Sequence, residues 1–344
     1  MNKLLTILAL SAVFSATAGA QVTLLNDNFA DGSRASTGAL QGEWYTLSAP
    51  ADIVTSTSGL TADTTLAAQT VLVHFPQVDL AVGQWVSSTL NFKIVGDASI
   101  VSGTNAIRSA MLYSAGNQIT SDSWGSSLTD PVTLTAVAKD YIGYGAFMNA
   151  NTYAEGDLRV NKKAATTTNT QVIGSSAQWG QDAAFATPGY QTSGTSQTNF
   201  YAASTDGLTG GDGTGLWANG NDMDYNLTTT ITRTGVSEVT IVSVVNQEDG
   251  LGGSNWSHTT TYVDDGLIQD EIGEAPATGS TIALMERVYT TYDTFLFNFS
   301  TSGGARFDGF TIQSLEVTAV PEPSTYAAIL GVLALGYAIR RRRA

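Results

Sequence analysis

Histidine occurs only at His74 and His258 and cysteine is absent, which removes most nucleophilic and metal chemistry at the outset. Two histidines cannot complete a three-histidine zinc site, and no His-Glu-x-x-His segment occurs. No Gly-x-Ser-x-Gly turn is present to raise a serine nucleophile. His74 lies in the apolar run 71–75 just before Pro76, where burial or a satisfied edge position is the default for an imidazole. Oxygen chemistry remains. Asp206, Asp212, Asn219, Asn221, Asp222 and Asp224 crowd a Gly-rich stretch, and hard oxygen ligands on flexible backbone suit Ca2+. The spacing fits neither an EF-hand nor a nonapeptide repeat, and exposed turns use the same residues. Asp206, Asp212, Asp222 and Asp224 are therefore the candidate calcium ligands, against a solvated loop as the plainer reading. Trp44, Trp179, Trp217 and Trp256 could stack on sugar faces if several line one exposed surface. Burial in a core is the competing expectation.

The elements that must position these residues are strands. Charged residues make up only 13% of the chain, 35 residues are Gly, and the long Glu/Lys/Leu segments that favour helices are missing. Leu90, Phe92 and Ile94 alternate with Asn91 and Lys93, the period-two pattern of a half-buried strand. Phe295, Phe297 and Phe299 alternate with Asn298 and Ser300, and Val71, Val73 and Phe75 repeat the pattern, as do Val239 and Ile241 within 236–245. Further strands are expected at 23–25, 43–47, 107–113, 141–148, 257–263 and 310–317. Between Asn149 and Asn226 the composition turns to Thr, Gly, Asn, Ser, Ala and Gln, too poor in aliphatics for a core of its own. We read it as long loops and peripheral strands on one all-β sandwich spanning 21–319, with a separate second domain as the alternative.

The two ends carry addresses. Asn2-Lys3, an apolar run from Leu4 to Ala16 and the small residues Ala18-Gly19-Ala20 read as a secretory signal peptide over 1–20, with cleavage between Ala20 and Gln21. At the other end, Pro321-Glu322-Pro323 precedes an apolar stretch from Tyr326 to Ile339, stopped by Arg340, Arg341, Arg342 and Arg343. Prolines keep the Glu322 segment extended, and the arginines hold their end in the cytoplasm while the rest of the chain lies beyond the membrane. The apolar stretch is short for a span of about 20 residues, which makes it a marginal transmembrane helix.

Taken in this order, residues 320–344 closely resemble the PEP-CTERM sorting signal of Gram-negative bacteria, a segment also called the ice-binding protein C-terminal domain. The resemblance implies an exosortase that recognises Pro321-Glu322-Pro323, removes the helix and arginine tail, and frees or attaches the body outside the inner membrane. It also implies a setting among exopolysaccharide and biofilm systems. Within the body, Thr261-Tyr262-Val263-Asp264-Asp265-Gly266 is similar to a hairpin of laminin G-like and concanavalin A-like jelly rolls. Asn28-Phe29-Ala30-Asp31-Gly32 and 306–312 fit the opening and closing strands of such sandwiches, so that first and last strands would close one sheet. The glucanases of that group present Glu-x-Asp-x-x-Glu on one strand. Asp270-Glu271-Ile272-Gly273-Glu274 lacks the central Asp and reads better as an acidic loop.

The formal net charge is −15, and Lys3 and the four terminal arginines are among the 15 cations, so the body alone is more acidic still. That charge excludes nucleic acid as a partner. The expectation is an exported, non-enzymatic structural or adhesive protein of the cell envelope or extracellular matrix, partnered by the secretion machinery and an exosortase. The alternative is a lectin-like module that recognises a matrix polysaccharide.

Overall fold

The computed structural model describes residues 21–47, 53–63, 69–95, 106–123, 141–149, 158–163, 223–248, 256–265, 288–300 and 309–320. The described elements are all strands: β1 (Val22–Asp27), β2 (Trp44–Thr46), β3 (Ile53–Ser56), β4 (Gly59–Asp63), β5 (Gln69–Asp79), β6 (Trp85–Val95), β7 (Ala106–Tyr113), β8 (Ile142–Asn149), β9 (Leu158–Lys163), β10 (Met223–Gly235), β11 (Glu238–Glu248), β12 (Trp256–Asp264), β13 (Thr291–Ser300) and β14 (Gly309–Ala319). They form an eight-stranded sheet in the order β12-β11-β10-β6-β14-β4-β3, with β1 also on β14, and a six-stranded sheet in the order β2-β5-β13-β7-β8-β9. Every pairing is antiparallel.

Alternation explains why the two sheets face each other. In β6, Val86, Leu90 and Phe92 are buried, whereas Ser87, Thr89 and Asn91 turn away and are half-buried. In β10 the inward set is Tyr225, Leu227 and Ile231, and in β14 it is Phe310, Ile312, Leu315 and Val317. These meet Val71, Val73, Met111, Phe295, Phe297 and Phe299 of the smaller sheet in one core. Phe297 sits at its centre, with ring centroids 5.4 Å from Phe92 and 5.0 Å from Phe310, so one side chain of the smaller sheet wedges between two strands of the larger. Full burial of a Phe side chain is worth about 1.5–3 kcal/mol, and without disulfides this interdigitated layer must hold the sheets together.

The first and last described strands do pair, Val22 opposite Ala319 and Asp27 opposite Leu315. β1 and β4 share one side of β14, and β6 takes the other. The β3–β4 hairpin can lie so close to β14 because Gly59 stands at its turn with φ +133°, where a Cβ would fall 2.3 Å from the Ile312 carbonyl oxygen.

The smaller sheet differs from expectation. The alternation in β13 predicts one polar face, yet Thr294, Leu296 and Asn298 are as buried as the phenylalanines between them. A second layer explains this: Leu47, Leu72, Ala110, Leu112, Ile119, Tyr141 and Leu296 make a separate apolar cluster on the outer side. β10 is also a correction, because the expected loop region ends earlier than Asn226; the strand begins at Met223 and lies in the interior of the larger sheet. β9, by contrast, is the peripheral strand expected in that region. The signal peptide and the helix expected over Tyr326–Ile339 lie outside the described residues. Among the described residues no helix is long and apolar enough to cross a membrane.

Candidate functional site

Three polar constructions stand out from the apolar frame. The first is the outer face of the larger sheet. Antiparallel register sets Ser314, Asn91, Asn226, Asn246 and Ser257 in one cross-strand row, with Glu316, Thr89, Thr228, Val244 and Thr259 in the next and Thr318, Ser87, Thr230, Val242 and Thr261 in a third. Neighbouring strands lie about 4.8 Å apart and same-face residues about 6.8 Å apart along each strand, so the rows form a hydroxyl and amide grid interrupted by Val242 and Val244 of β11 and by Glu316. Hydrogen bonds fix it: Ser87 Oγ lies 2.8 Å from Thr230 Oγ1, Asn226 Nδ2 donates to Asn91 Oδ1 at 2.7 Å, and Asn91 Nδ2 donates to Ser314 Oγ at 2.8 Å. Glu316 is the one charge in these rows, on a chain whose net charge is −15.

The second construction anchors the outer layer of the smaller sheet. His74 Nδ1 lies 2.8 Å from Thr294 Oγ1 and Nε2 lies 2.8 Å from the Ile119 carbonyl oxygen, and burial pushes its pKa below the ordinary imidazole value. Asp293 accepts from Ser114 N at 2.8 Å and Ser114 Oγ at 2.6 Å, and Tyr141 Oη accepts from Ile119 N at 2.9 Å. Arg34 grips Asp122 through two bonds of 2.8 and 2.5 Å, and Thr46 N donates to the same carboxylate at 3.0 Å. His74 is thus a fastener for the segment 114–123, in keeping with its expected satisfied position. Nearby, burial and a hydrogen bond with Glu43 push the Tyr45 phenol up to about 12.

The third lies inside the sandwich, where β9 and β12, edge strands of opposite sheets, pack together. Lys162 Nζ is 2.6 Å from Asp264 Oδ2, with both side chains buried. Tyr144 donates its hydroxyl proton to the same Oδ2 at 2.5 Å and accepts from Tyr289 N at 3.1 Å. The Tyr289 ring lies under the ammonium, 5.1 Å from Nζ to the centroid. Desolvation lowers the Lys162 pKa against the opposing pull of Asp264, and burial keeps the Tyr144 phenol protonated far above its usual range. The hairpin motif 261–266 pointed to Asp264 as a turn residue; its partner, over a hundred positions earlier in the chain, had no sequence signal beyond a lysine in a peripheral strand.

The expected site residues fall as follows. Trp44 cannot stack on a sugar, because it is 1% exposed, packs at 5.6 Å against Phe29 and donates Nε1 to Asp27 Oδ2 at 2.8 Å; this corrects its place among the candidate aromatics. Trp256 opens β12 opposite Gln247. Trp179 and Trp217 lie outside the described residues, as do Asp206, Asp212 and Asp222. Asp224 stands on β10 and accepts from Gln313 Nε2 at 2.9 Å. Among the described residues no group of three or more His, Cys, Asp or Glu could hold a metal ion. Gln21 precedes β1, whereas Ala20, the tripeptide Pro321-Glu322-Pro323 and the segment from Tyr326 to Arg343 lie outside the described residues.

The fold and these sites define a two-sheet antiparallel β-sandwich whose last strand leads directly into its C-terminal segment. That segment, residues 319–343, matches the PEP-CTERM protein-sorting motif. The motif implies processing by an exosortase. Among curated proteins, none matches the chain. Among solved structures, the basic winged bean lectin with Tn-antigen is 9% identical, with 87% of this chain and 98% of that chain covered and a TM-score of 0.38. Lectin II from Ulex europaeus is 11% identical over 87% and 99%, TM-score 0.37. The legume lectin-like domain from Entamoeba histolytica is 11% identical over 80% and 88%, TM-score 0.34. Likenesses at this level carry nothing further for this chain.

Proposed function

We propose that the chain is a non-enzymatic structural or adhesive protein, exported across the inner membrane, processed by an exosortase at Pro321-Glu322-Pro323 and retained in the cell envelope or the extracellular, exopolysaccharide-rich matrix. The observation that carries this reading is the match of 319–343 to the protein-sorting motif, beginning at the residue where β14 ends. Cleavage beyond Ala319 would leave every described strand with its partners. Replacement of Pro321-Glu322-Pro323 by alanines, followed by fractionation of cells carrying an epitope within the body, tests it. The expected result is an unprocessed chain held at the inner membrane. Identical maturation and placement of the altered chain would overturn it.

A second reading, a lectin-like module for a neutral matrix polysaccharide, is favoured by the hydroxyl and amide grid on the larger sheet. Its donors and acceptors match those of sugars, and with Glu316 as the one charge in its rows it suits a neutral polymer. Trp256 shares its cross-strand row with Tyr225 and Phe92 of the inner face, so stacking would fall to Trp179 and Trp217. Ca2+ at Asp206, Asp212, Asp222 and Asp224 belongs to the same reading. Retention of the purified protein on immobilised polysaccharides, with and without a chelator, tests both points. No retention on any neutral glycan would leave the structural role alone.

A further inference from the structure

The geometry points to an intramolecular isopeptide bond between Lys162 and Asp264, a covalent staple joining β9 of one sheet to β12 of the other. An amine nitrogen 2.6 Å from a carboxylate oxygen, buried between the Tyr144 hydroxyl and the Tyr289 ring, with the Asp265 charge near enough to act on the ammonium, is a reactant pair held at contact, and such positioning replaces a bimolecular encounter by an intramolecular one. Exclusion of water favours the product, because amide formation here releases water from a place where little is present to reverse it.

The step balances without any other reactant. A proton passes from the Lys162 ammonium to Asp264 Oδ2, leaving a neutral amine beside a neutral carboxyl group. Burial that disfavours the charged lysine assists this transfer. The Nζ lone pair then attacks Asp264 Cγ and the Nζ–Cγ bond forms. A second proton leaves Nζ and reaches Oδ2 through the Tyr144 hydroxyl, which already donates to that oxygen. The Cγ–Oδ2 bond breaks and water departs. An ammonium and a carboxylate have become one secondary amide and one water, with no change of oxidation state. Tyr144 is held for this relay by the Tyr289 backbone N–H, and it stands directly opposite Lys162 in the β8–β9 register.

The staple would close the sandwich at the edge where the two sheets have no shared strand. It would supply to a cysteine-free chain the cross-link that exported proteins commonly obtain from disulfides.

Mass spectrometry of the full chain purified from cells, with its termini fixed by sequencing, tests the assignment. The intact mass is expected to fall short of the sequence mass by one water. A tryptic digest should yield a branched peptide in which the segment containing Lys162 is joined to that containing Asp264. Lys162→Arg, which keeps the charge but removes the nucleophile, should restore the full mass and abolish the branched peptide. Tyr144→Phe should slow its appearance in freshly synthesised protein. A wild-type chain at full mass overturns the proposal. So does a water loss confined to a linear peptide around Asp265-Gly266, the mark of a succinimide. The wild-type peptide map decides the matter even where the variants fail to fold.

Discussion

The larger sheet turns Ser87, Thr89, Thr228 and Thr230 outward into a half-open hydroxyl grid, whereas the smaller sheet hides the equivalent side of β5, β7 and β13 beneath Ile119 and Tyr141. The two outer faces start from the same strand geometry and end with opposite fates. What covers the smaller sheet is the segment 114–123, fastened by His74, Asp293 and the Arg34 and Asp122 pair. The difference places a second apolar layer on one side of the sandwich and, among the described residues, leaves the polar rows of the other half-open. It also shows why counting aromatic residues misleads here: Trp44 is consumed by the core, while the three outer rows of the larger sheet carry mainly threonine, serine and asparagine.

The layer common to both sheets should be the most sensitive to substitution. Phe297→Ala should cost about 3–5 kcal/mol of unfolding free energy, measured by denaturant titration, because Phe297 fills the space between Phe92 and Phe310. Leu296→Ala, one residue away but pointing outward, should cost about 2–5 kcal/mol. A loss below about 1 kcal/mol, the size expected of an exposed leucine, would show that the second layer is not a core. The fastening of that layer should also depend on pH. The His74 pKa is depressed in the folded chain, so the unfolded chain binds the proton more readily, and this contribution is present above pH about 6.5 and lost as pH falls through the folded-state value. His74→Gln should be less stable at neutral pH and lose less on acidification, and an unchanged pH dependence would remove His74 as its source. Asp122→Ala should cost about 1 kcal/mol or less at moderate salt, since the Arg34 and Asp122 side chains retain 29% and 19% exposure. Smallest of all should be Thr230→Asp, within about 1 kcal/mol in stability yet with clear loss of retention on any neutral polysaccharide the wild type holds. Unaltered retention would separate the grid from glycan binding.

Much of the sandwich was legible because apolar alternation survives in β5, β6, β13 and β14. The pairing of first and last strands was legible from the two sequence signatures placed at the ends of the body. β10 was less so: its inward set Tyr225, Leu227 and Ile231 has the required period, but Thr229 stands among them and the flanking threonines give the run the look of low complexity. Periodicity over a longer window would have found it. The double burial of β13 could not be read from its own residues, because it depends on what a distant loop covers. The same holds for Lys162 and Asp264: each is an ordinary residue of a peripheral strand, and only the packing of β9 on β12 makes them neighbours.

β14 ends at Ala319, one residue beyond which the backbone of Val320 still bonds to Trp85. Any pull transmitted from the sorted end of the chain therefore runs lengthwise along a strand bonded on one side to β6 and on the other to β1 and β4. Load applied in that direction is shared among many bonds that lie crosswise to it and must fail together, instead of being opened one after another like a zip. A cell that tethered the body by this end would place mechanical tension along a strand paired on both sides.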